Sequence, residues 1–480
     1  MPSNHEKPDD HISSETWRIV TVATLGPFLS TLDSTVVNVS LSGLATELRT
    51  NLGVIQWVAS GYLLSLALVL PLSGWMVDRI GARKLYIWCF AAFTATSALC
   101  GAAWSPASLI GFRVLQGVTG GLLAPMAQMM IARAANPKNI TKVMGYAAPP
   151  VMLGPLFGPV LAGAILQYST WRWLFLINLP VGIMAIVLSI FFLPKDQADV
   201  NPRRFDLVGF LQLSPGLVTF LYGLDHLQTT GGRFALLIAI LLIGTFLLHA
   251  NRIGSRALMN LSLFWVPTFH AAAVTQFLAN AVALAGQVLI PYYLIAGCHM
   301  SPKQAGWLMA PMGVGMICTY PFMGSLAKRF GIRSVSAGGA FVATVGTAPL
   351  IWMAAQGVSI VPLILVLFIR GCGLGAINIP SIAAAYSSVT KAELPMATTT
   401  LNILQRLGGP IMTTLVTMLI ESHFNHSARF AATPFMLAFV LLSTVQFSLI
   451  VAAWRLPMWI DRQPPQDQEA EFEAFEALTD

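Results

Sequence analysis

The sequence has few charged residues. Only 10% of its 480 residues are Asp, Glu, Lys or Arg, against about 25% in an ordinary soluble domain. Long runs, such as residues 50–77, 85–112 and 257–302, contain no such residue, and the mean hydropathy is +0.70. Because a helix needs about 20 apolar residues to cross a bilayer core, the pattern excludes a soluble globular protein. It predicts an all-α polytopic membrane protein.

Sequence signatures of enzymes, metal sites and disulfide frameworks are also lacking. H-E-x-x-H, G-x-S-x-G and Walker A patterns do not occur in the sequence. The five cysteines have no metal-ligand spacing, and they lie in or beside apolar runs. His423 and His426 could hold a metal, but two histidines in a predicted loop are typical of solvated side chains. We predict no metal site and no enzyme.

The distribution of basic residues predicts the topology. Fourteen spans are expected at about residues 19–41, 54–75, 85–104, 106–132, 143–166, 173–193, 206–225, 234–250, 267–296, 304–326, 334–355, 359–387, 398–420 and 432–454. The loops on the side of both termini hold 19 of the 27 Lys and Arg, and the opposite loops hold 5. The positive-inside rule places that side in the cytoplasm. The basic excess therefore indicates topology and not nucleic-acid binding.

The start of the sequence does not have the pattern of a secretory signal peptide. Residues 1–17 are polar and of mixed charge, without the basic segment and cleavage site of a signal peptide. The first apolar helix is therefore predicted to be an uncleaved membrane anchor.

A charged stretch with two glycines occurs twice. GWMVDRIGARK (74–84) and GSLAKRFGIR (324–333) share Gly, Arg, Gly and Arg at an offset of 250 residues. Repetition in corresponding positions indicates parallel repeats, as in many transporters. Glycine there permits close helix approach and a tight turn, so we predict a role in conformational gating. In the alternative, the charges only set the topology. The predicted gating residues of this stretch are Gly74, Asp78, Arg79, Gly81 and Arg83.

The repeat divides the chain into predicted parts. Two six-helix bundles are expected, with two extra central helices between them. The parts are a cytoplasmic N-terminal tail (1–18), an N-terminal bundle (19–193), a linker with two extra helices (194–255), a C-terminal bundle (267–454) and a cytoplasmic C-terminal tail (455–480).

Several motifs together resemble a known family. GWMVDRIGARK is similar to the loop signature of the major facilitator superfamily. Five further stretches resemble the fourteen-helix drug:proton antiporters of the EmrB/QacA type, namely TLDSTVVNVSL (31–41), FRVLQGVTGG (112–121), LGPLFGPVLAG (153–163), WRWLFLINLPVG (171–182) and NILQRLGG (402–409). The resemblance implies a proton-driven exporter of lipophilic drugs or toxic small molecules in a bacterial inner membrane, without a cofactor.

The same resemblance implies partners. These are protons, small lipophilic substrates and the lipid bilayer. In a host with two membranes, a periplasmic adaptor and an outer-membrane channel are further candidates. No nucleic acid is expected.

Two charges stand inside predicted spans at matching depth. At 1.5 Å per residue, Asp33 lies roughly 21 Å outward along the first helix, and Arg113 lies roughly 10 Å inward along the fourth. Both levels coincide in a core about 30 Å thick. A charge at that depth is costly, and the resemblance implies that both helices line a central cavity. We predict that Asp33 carries the proton and Arg113 modulates it. The alternative is a structural pair that locks the two helices.

The fifth predicted helix and the cavity residues complete the candidate site. Gly154, Pro155, Gly158 and Pro159 allow close packing and a kink, and the resemblance implies an antiporter gate; a merely well-packed helix is the alternative. Pro159 stands where the family commonly has glycine. Arg370 is either a cavity residue or a local packing residue, and Arg406 is predicted in a cavity or gate. The predicted substrate-cavity residues are Asn38, Gln116, Met126, Gln276, Asn280, Tyr292, Arg370, Asn378, Asn402 and Arg406.

The membrane charges also bear on the substrate. One acid against three arginines favours neutral or anionic lipophilic compounds over dications. The alternative function is a proton-independent or proton-symporting carrier of a small metabolite, against which the Gly/Pro stretch of the fifth helix argues. A sensor that does not transport is a further alternative.

Overall fold

The computed structural model describes residues 12–135, 139–196, 204–424 and 433–459, and its regular structure in these ranges is helical. The predicted tails beyond residues 12 and 459 lie outside them. The long helical segments, with their short breaks included, are α1 Ser14–Glu47, α2 Leu52–Ile80, α3 Ala82–Gly101, α4 Pro106–Ala134, α5 Ile140–Tyr168, α6 Trp173–Phe192, α7 Leu207–Asp225, α8 Thr230–Ile253, α9 Pro267–Gly297, α10 Pro302–Thr319 with Met323–Phe330, α11 Ile332–Gln356, α12 Ile360–Ser387, α13 Leu394–Phe424 and α14 Thr433–Trp454.

Twelve helices in the described ranges are long and apolar enough to cross a membrane, which confirms a polytopic membrane fold. The two others, α3 and α10, are helices at the predicted positions of the third and tenth spans. The count of fourteen spans therefore stays a prediction for these two segments.

The charged stretch at 74–84 is helical rather than a loop, which corrects the predicted end of the second span at residue 75. α2 continues through a 3₁₀ turn to Ile80, and α3 begins at Ala82. Gly81 alone connects them, with φ of 92°, a backbone region that glycine enters at little cost. Gly331 makes the equivalent connection between α10 and α11, with φ of 81°.

The two halves repeat one packing pattern. In the first half α1 packs on α4, α5 and α6, and α3 packs on α4 and α6, while α2 packs on α4. In the second half the same pairs recur with each number raised by eight, from α9 on α12, α13 and α14 to α10 on α12. The sequence repeat thus corresponds to a structural repeat of six helices.

The extra helices α7 and α8 pack against each other between the halves in sequence. α7 also contacts α2 of the first half and α13 of the second. Asp206 anchors this pair, because its carboxylate accepts hydrogen bonds from the backbone N–H groups of Gly209 and Leu258 and lies 2.9 Å from Nε2 of His249. The hairpin therefore covers one side of the junction between the halves.

The halves meet most closely at one end of the molecule. We call this end the basic face; Gly81, Arg133, Asp196 and Lys391 line a cavity of about 730 Å³ there. Gly74 of α2 packs on the backbone of α13, and Gly324 of α10 packs on Lys142 of α5. A side chain at either glycine would collide with the opposite half. The structure therefore shows the halves closed together at the basic face.

Candidate functional site

Asp33 and Arg113 form an ion pair inside the first half. Nη1 of Arg113 lies 2.5 Å from Oδ2 of Asp33, and both side chains are almost completely buried, with exposures of 1% and 0%. Asp33 comes from the middle of α1 and Arg113 from the first third of α4. The structure therefore brings together two side chains that lie 80 residues apart in sequence and that were predicted at the same depth.

The remaining oxygen of Asp33 also accepts hydrogen bonds. Nδ2 of Asn178, on α6, donates to Oδ1 at 2.7 Å, and Nε2 of Gln116 donates to the same atom at 3.2 Å. Ser97 on α3 accepts from both amides. Three helices, α3, α4 and α6, therefore supply donors or supporting groups to the carboxylate on α1, and this set matches its ionised form, which only accepts hydrogen bonds.

Arg113 is held on its other side by backbone and aromatic groups. Its Nε donates to the carbonyl of Val58 at 3.1 Å. The guanidinium carbon lies 4.1 Å from the centre of the Tyr62 ring and 5.8 Å from that of Phe175. Because a guanidinium interacts favourably with an aromatic face, Arg113 has a fixed orientation towards Asp33.

The residues that complete this cluster were not singled out from the sequence. Asn178 lies in the quoted stretch WRWLFLINLPVG, and Ser97 and Tyr62 lie in apolar runs. Their only signal was a polar group in a span, where such groups need partners. That signal does not indicate which partners each group would meet.

A second polar cluster joins the two halves. Gln128 of α4 accepts hydrogen bonds from Tyr386 of α12 and Asn402 of α13, each at 2.8 Å. Ser73 of α2 bonds to Thr399 of α13 at 2.7 Å. These contacts fix the halves to each other between the basic face and the middle of the helices.

Arg370 occupies the second half without an acidic partner in the described part of the chain. It is fully buried, donates to the carbonyl of Val282 at 3.0 Å and bonds to the hydroxyl of Thr347. Gly286 and Gly346 pack directly against it. These contacts are those of a tightly enclosed packing residue.

The predicted cavity residues separate into buried and accessible groups. Gln116, Met126, Gln276 and Arg370 are almost fully buried, so they present no open surface to a substrate in this conformation. Asn402 is also buried and links the halves. Those partly or fully accessible are Asn38, Asn280, Tyr292, Asn378 and Arg406. Tyr292 packs on Phe435 of α14, with ring centres 5.6 Å apart. The substrate roles of all these residues stay predictions.

The predicted gating residues near Gly81 lie at the basic face. Asp78, Gly81 and Arg83 line the cavity there, and the Arg79 guanidinium lies 5.7 Å from the centre of the Trp75 ring. Arg83 donates to the carbonyl of Ile190 on α6. Their gating role stays a prediction.

One residue at this face was missed from the sequence. Asp196, which follows α6, accepts hydrogen bonds from the backbone N–H groups of Arg83 and Lys84 at 2.9 and 3.1 Å. It caps the first turn of α3, where N–H groups have no helical partner.

The glycines of α5 face α1. Added side chains at Gly154 and Gly158 would meet Thr31 and Thr35 of α1 respectively. Pro155 and Pro159 lie on the accessible side of the same helix. The glycines thus set the distance between the helix that carries Asp33 and its neighbour, and the predicted gate remains to be tested.

A repeated six-helix architecture around buried charges is typical of membrane transport proteins. A sequence model of the Major Facilitator Superfamily matches residues 23–296 and 272–479. The chain belongs to this superfamily.

Named relatives cover most of the chain. It is 33% identical over 417 residues to a "Multidrug resistance protein B homolog" of Mycobacterium tuberculosis, which covers 85% of this chain and 77% of that protein. It is 30% identical over 470 residues to a "Putative multidrug resistance protein MdtD" of Pectobacterium atrosepticum, with 95% and 97% covered.

Solved structures share the fold at low identity. The proton:xylose symporter XylE gives a TM-score of 0.62 at 15% identity, covering 92% of this chain and 97% of XylE. The human organic anion transporter MFSD10 gives 0.61 at 16% identity, covering 92% and 100%. These likenesses confirm the predicted major facilitator fold.

Proposed function

We propose that this protein is a proton-coupled exporter of lipophilic drugs or toxic small molecules, of the fourteen-helix antiporter type. One observation carries the proposal most directly. Asp33, fully buried in the first half, is bound by three side-chain donors that suit its ionised form. The drug-resistance names of the relatives support the choice of substrate.

The donor set explains why a proton on Asp33 would change the conformation. A protonated carboxyl needs an acceptor for its own hydrogen, whereas Arg113, Asn178 and Gln116 all present N–H groups to it. Protonation therefore favours an arrangement in which some of these donors move away. Because α1, α4 and α6 carry these groups, such a movement reaches the packing of the first half. The proton thereby biases one conformation over another.

The contacts between the halves at the basic face bear on the second part of the transport cycle, which is the opening of the protein on that side. We propose that the basic face is cytoplasmic, with both termini there, in a bacterial inner membrane, and that this conformation is closed to the cytoplasm. α3 and α10 are proposed to span as well, which gives fourteen spans. Opening requires Gly74 to separate from α13 and Gly324 from α5. An adaptor and an outer-membrane channel remain candidate partners where the host has two membranes.

The test separates proton coupling from substrate binding. Purified protein is placed in liposomes, and transport of a fluorescent drug is measured with an imposed pH gradient. Counterflow, the exchange of labelled for unlabelled drug, is measured without a gradient. We expect Asp33→Asn to lose gradient-driven transport at least about tenfold and to retain counterflow, because exchange needs no net proton movement.

A matched control uses an exposed acid. Asp225→Asn, at the end of α7 where the side chain is 60% exposed, should leave both assays unchanged. If Asp33→Asn shows the same pH-gradient-driven transport as the unaltered protein, Asp33 is not the proton carrier. If the unaltered protein transports equally with and without a gradient, the alternative of a proton-independent carrier is correct. Uptake in the same direction as the proton would instead identify a symporter.

A further inference from the structure

Arg406 is a second membrane arginine without an acidic partner in the part of the chain that the structure describes. No carboxylate of the described residues lies within 4 Å of its guanidinium. Its Nε is buried and has no hydrogen-bond partner among the described residues. The side chain as a whole is nevertheless partly accessible. A buried donor without an acceptor is costly, so this guanidinium lacks both a counter-charge and a full set of acceptors in the described part of the chain.

The position of Arg406 follows from the face of α13 that meets the first half. Thr399 and Asn402 bond to Ser73 and Gln128 across the junction. Residues at spacings of three and four share one helix face, so Arg406 continues this face one turn further from the basic face. Arg406 therefore lies on the face of α13 that meets the first half, just beyond the last of these hydrogen bonds between the halves.

Gln405, the residue before Arg406, begins a chain of hydrogen-bonded amide groups in the second half. Gln405 donates to Oε1 of Gln276 at 2.8 Å, and Gln276 donates in turn to Ser381 and to the carbonyl of Asn378. Asn280, one turn along α9, is partly accessible. These amides are neutral, so they do not balance the charge of Arg406.

Arg370 also has a buried Nε without a partner among the described residues, but it differs from Arg406 in accessibility and in the hydrogen bonds of its other nitrogens. It is completely buried, and glycines 286 and 346 pack against its guanidinium and stem. Two of its nitrogens already bond to Thr347 and Val282. No path to an external ligand is left, which singles out Arg406.

We propose that Arg406 binds the negatively charged oxygen group of an amphipathic organic acid, such as an aryl carboxylate, where α13 meets the first half. A guanidinium forms paired, charge-assisted hydrogen bonds with a carboxylate. The apolar remainder of the ligand is expected to lie against neighbouring membrane helices. This inference rests on the proposed function, since it names the charge class of the exported compounds.

The experiment is a binding measurement on the purified full-length protein, without a proton gradient. The probes are 1-naphthaleneacetate and its neutral amide, 1-naphthaleneacetamide, which share one ring system. The unaltered protein should bind the acid at least about tenfold more tightly than the amide. Arg406→Gln should weaken acid binding about tenfold to a hundredfold and change amide binding less than twofold, while Arg406→Lys should retain most of the preference.

Arg252→Gln, at an exposed position near the end of α8, is the control and should bind both probes normally. Equal affinity of the unaltered protein for acid and amide overturns the proposal, and this measurement needs no variant. Unchanged acid binding in a well-folded Arg406→Gln protein overturns it as well. Failure of the Asp33 transport test with an intact acid preference would instead refute proton coupling and leave the anion site standing.

Discussion

The arginines of α4 and α12 show how two copies of one architecture have come to differ. Arg113 and Arg370 stand on corresponding helices, and each reaches the first helix of its own half. Arg113 meets the carboxylate of Asp33 on α1. Arg370 meets the carbonyl of Val282 on α9, and Gly286 packs against its guanidinium.

The difference teaches that the arginine and the acid have separable roles. Both halves keep a guanidinium that ties three helices together through hydrogen bonds. Among the residues that the structure describes, the first half pairs this guanidinium with a buried carboxylate and the second half does not. Breaking an ion pair leaves an uncompensated charge, whereas removing an unpaired one does not. This contrast yields three stability predictions, the largest first.

Arg113→Met is expected to destabilise the protein strongly, by about 3–5 kcal/mol, because Asp33 is left buried without its cation. Arg370→Met should cost no more than about 1 kcal/mol, because it removes an unpaired buried charge and loses only two hydrogen bonds. The measurement is the unfolding temperature of the detergent-purified protein. Adding Asp33→Asn to Arg113→Met should restore much of the loss. Equal losses for the two arginines would show that the halves do not differ in this way.

Gly286→Ala should cost about 1–3 kcal/mol, because the new methyl group meets the Arg370 guanidinium in a tightly packed site. Gly244→Ala on α8 is the control, since no atom outside the helix backbone lies within 4 Å of an added side chain there. The loss should shrink in an Arg370→Met background, measured as a double-mutant cycle. A loss that is the same in both backgrounds would assign the effect to another neighbour.

The caps at the basic face give the smallest expected effect. In the first half the Asp196 side chain accepts the N–H groups at the start of α3, whereas in the second half the backbone carbonyl of Met458 accepts the N–H of Ile332. Asp196→Ala should therefore cost about 1 kcal/mol, with faster hydrogen exchange in the first turn of α3. Met458→Ala keeps its carbonyl and should preserve the exchange rates of α11. Faster exchange in both variants would contradict this distinction.

The sequence predicted the fold because the fold depends on features that a bilayer imposes locally. Uncharged runs of sufficient length revealed the helices, and the 250-residue repeat corresponds to the observed six-helix repeat. The depth of Asp33 and Arg113 could be obtained from helix rise alone. That α1 and α4 are neighbours required the resemblance to a known family.

The rest of the site depends on packing between distant segments, which residue spacing does not encode. Asn178 lies 145 residues from Asp33, and its asparagine identity does not indicate which helix it faces. The burial of Arg370 and the accessibility of Arg406 could not be distinguished either, because both are single arginines in apolar helices. The structure separates the two by the complete burial of Arg370, its hydrogen bonds and the glycines packed against it.

The glycines at the basic face carry one more consequence. Gly74 joins α2 to α13, and Gly324 joins α10 to α5. Because α10 is the counterpart of α2 and α13 is the counterpart of α5, the two contacts are equivalent under the repeat. Two separate copies of a six-helix chain could form the same junction as an isologous dimer, with one glycine serving twice. Fusion into a single polypeptide allows each contact to change independently. One contact between the halves can therefore become stronger while its counterpart becomes weaker.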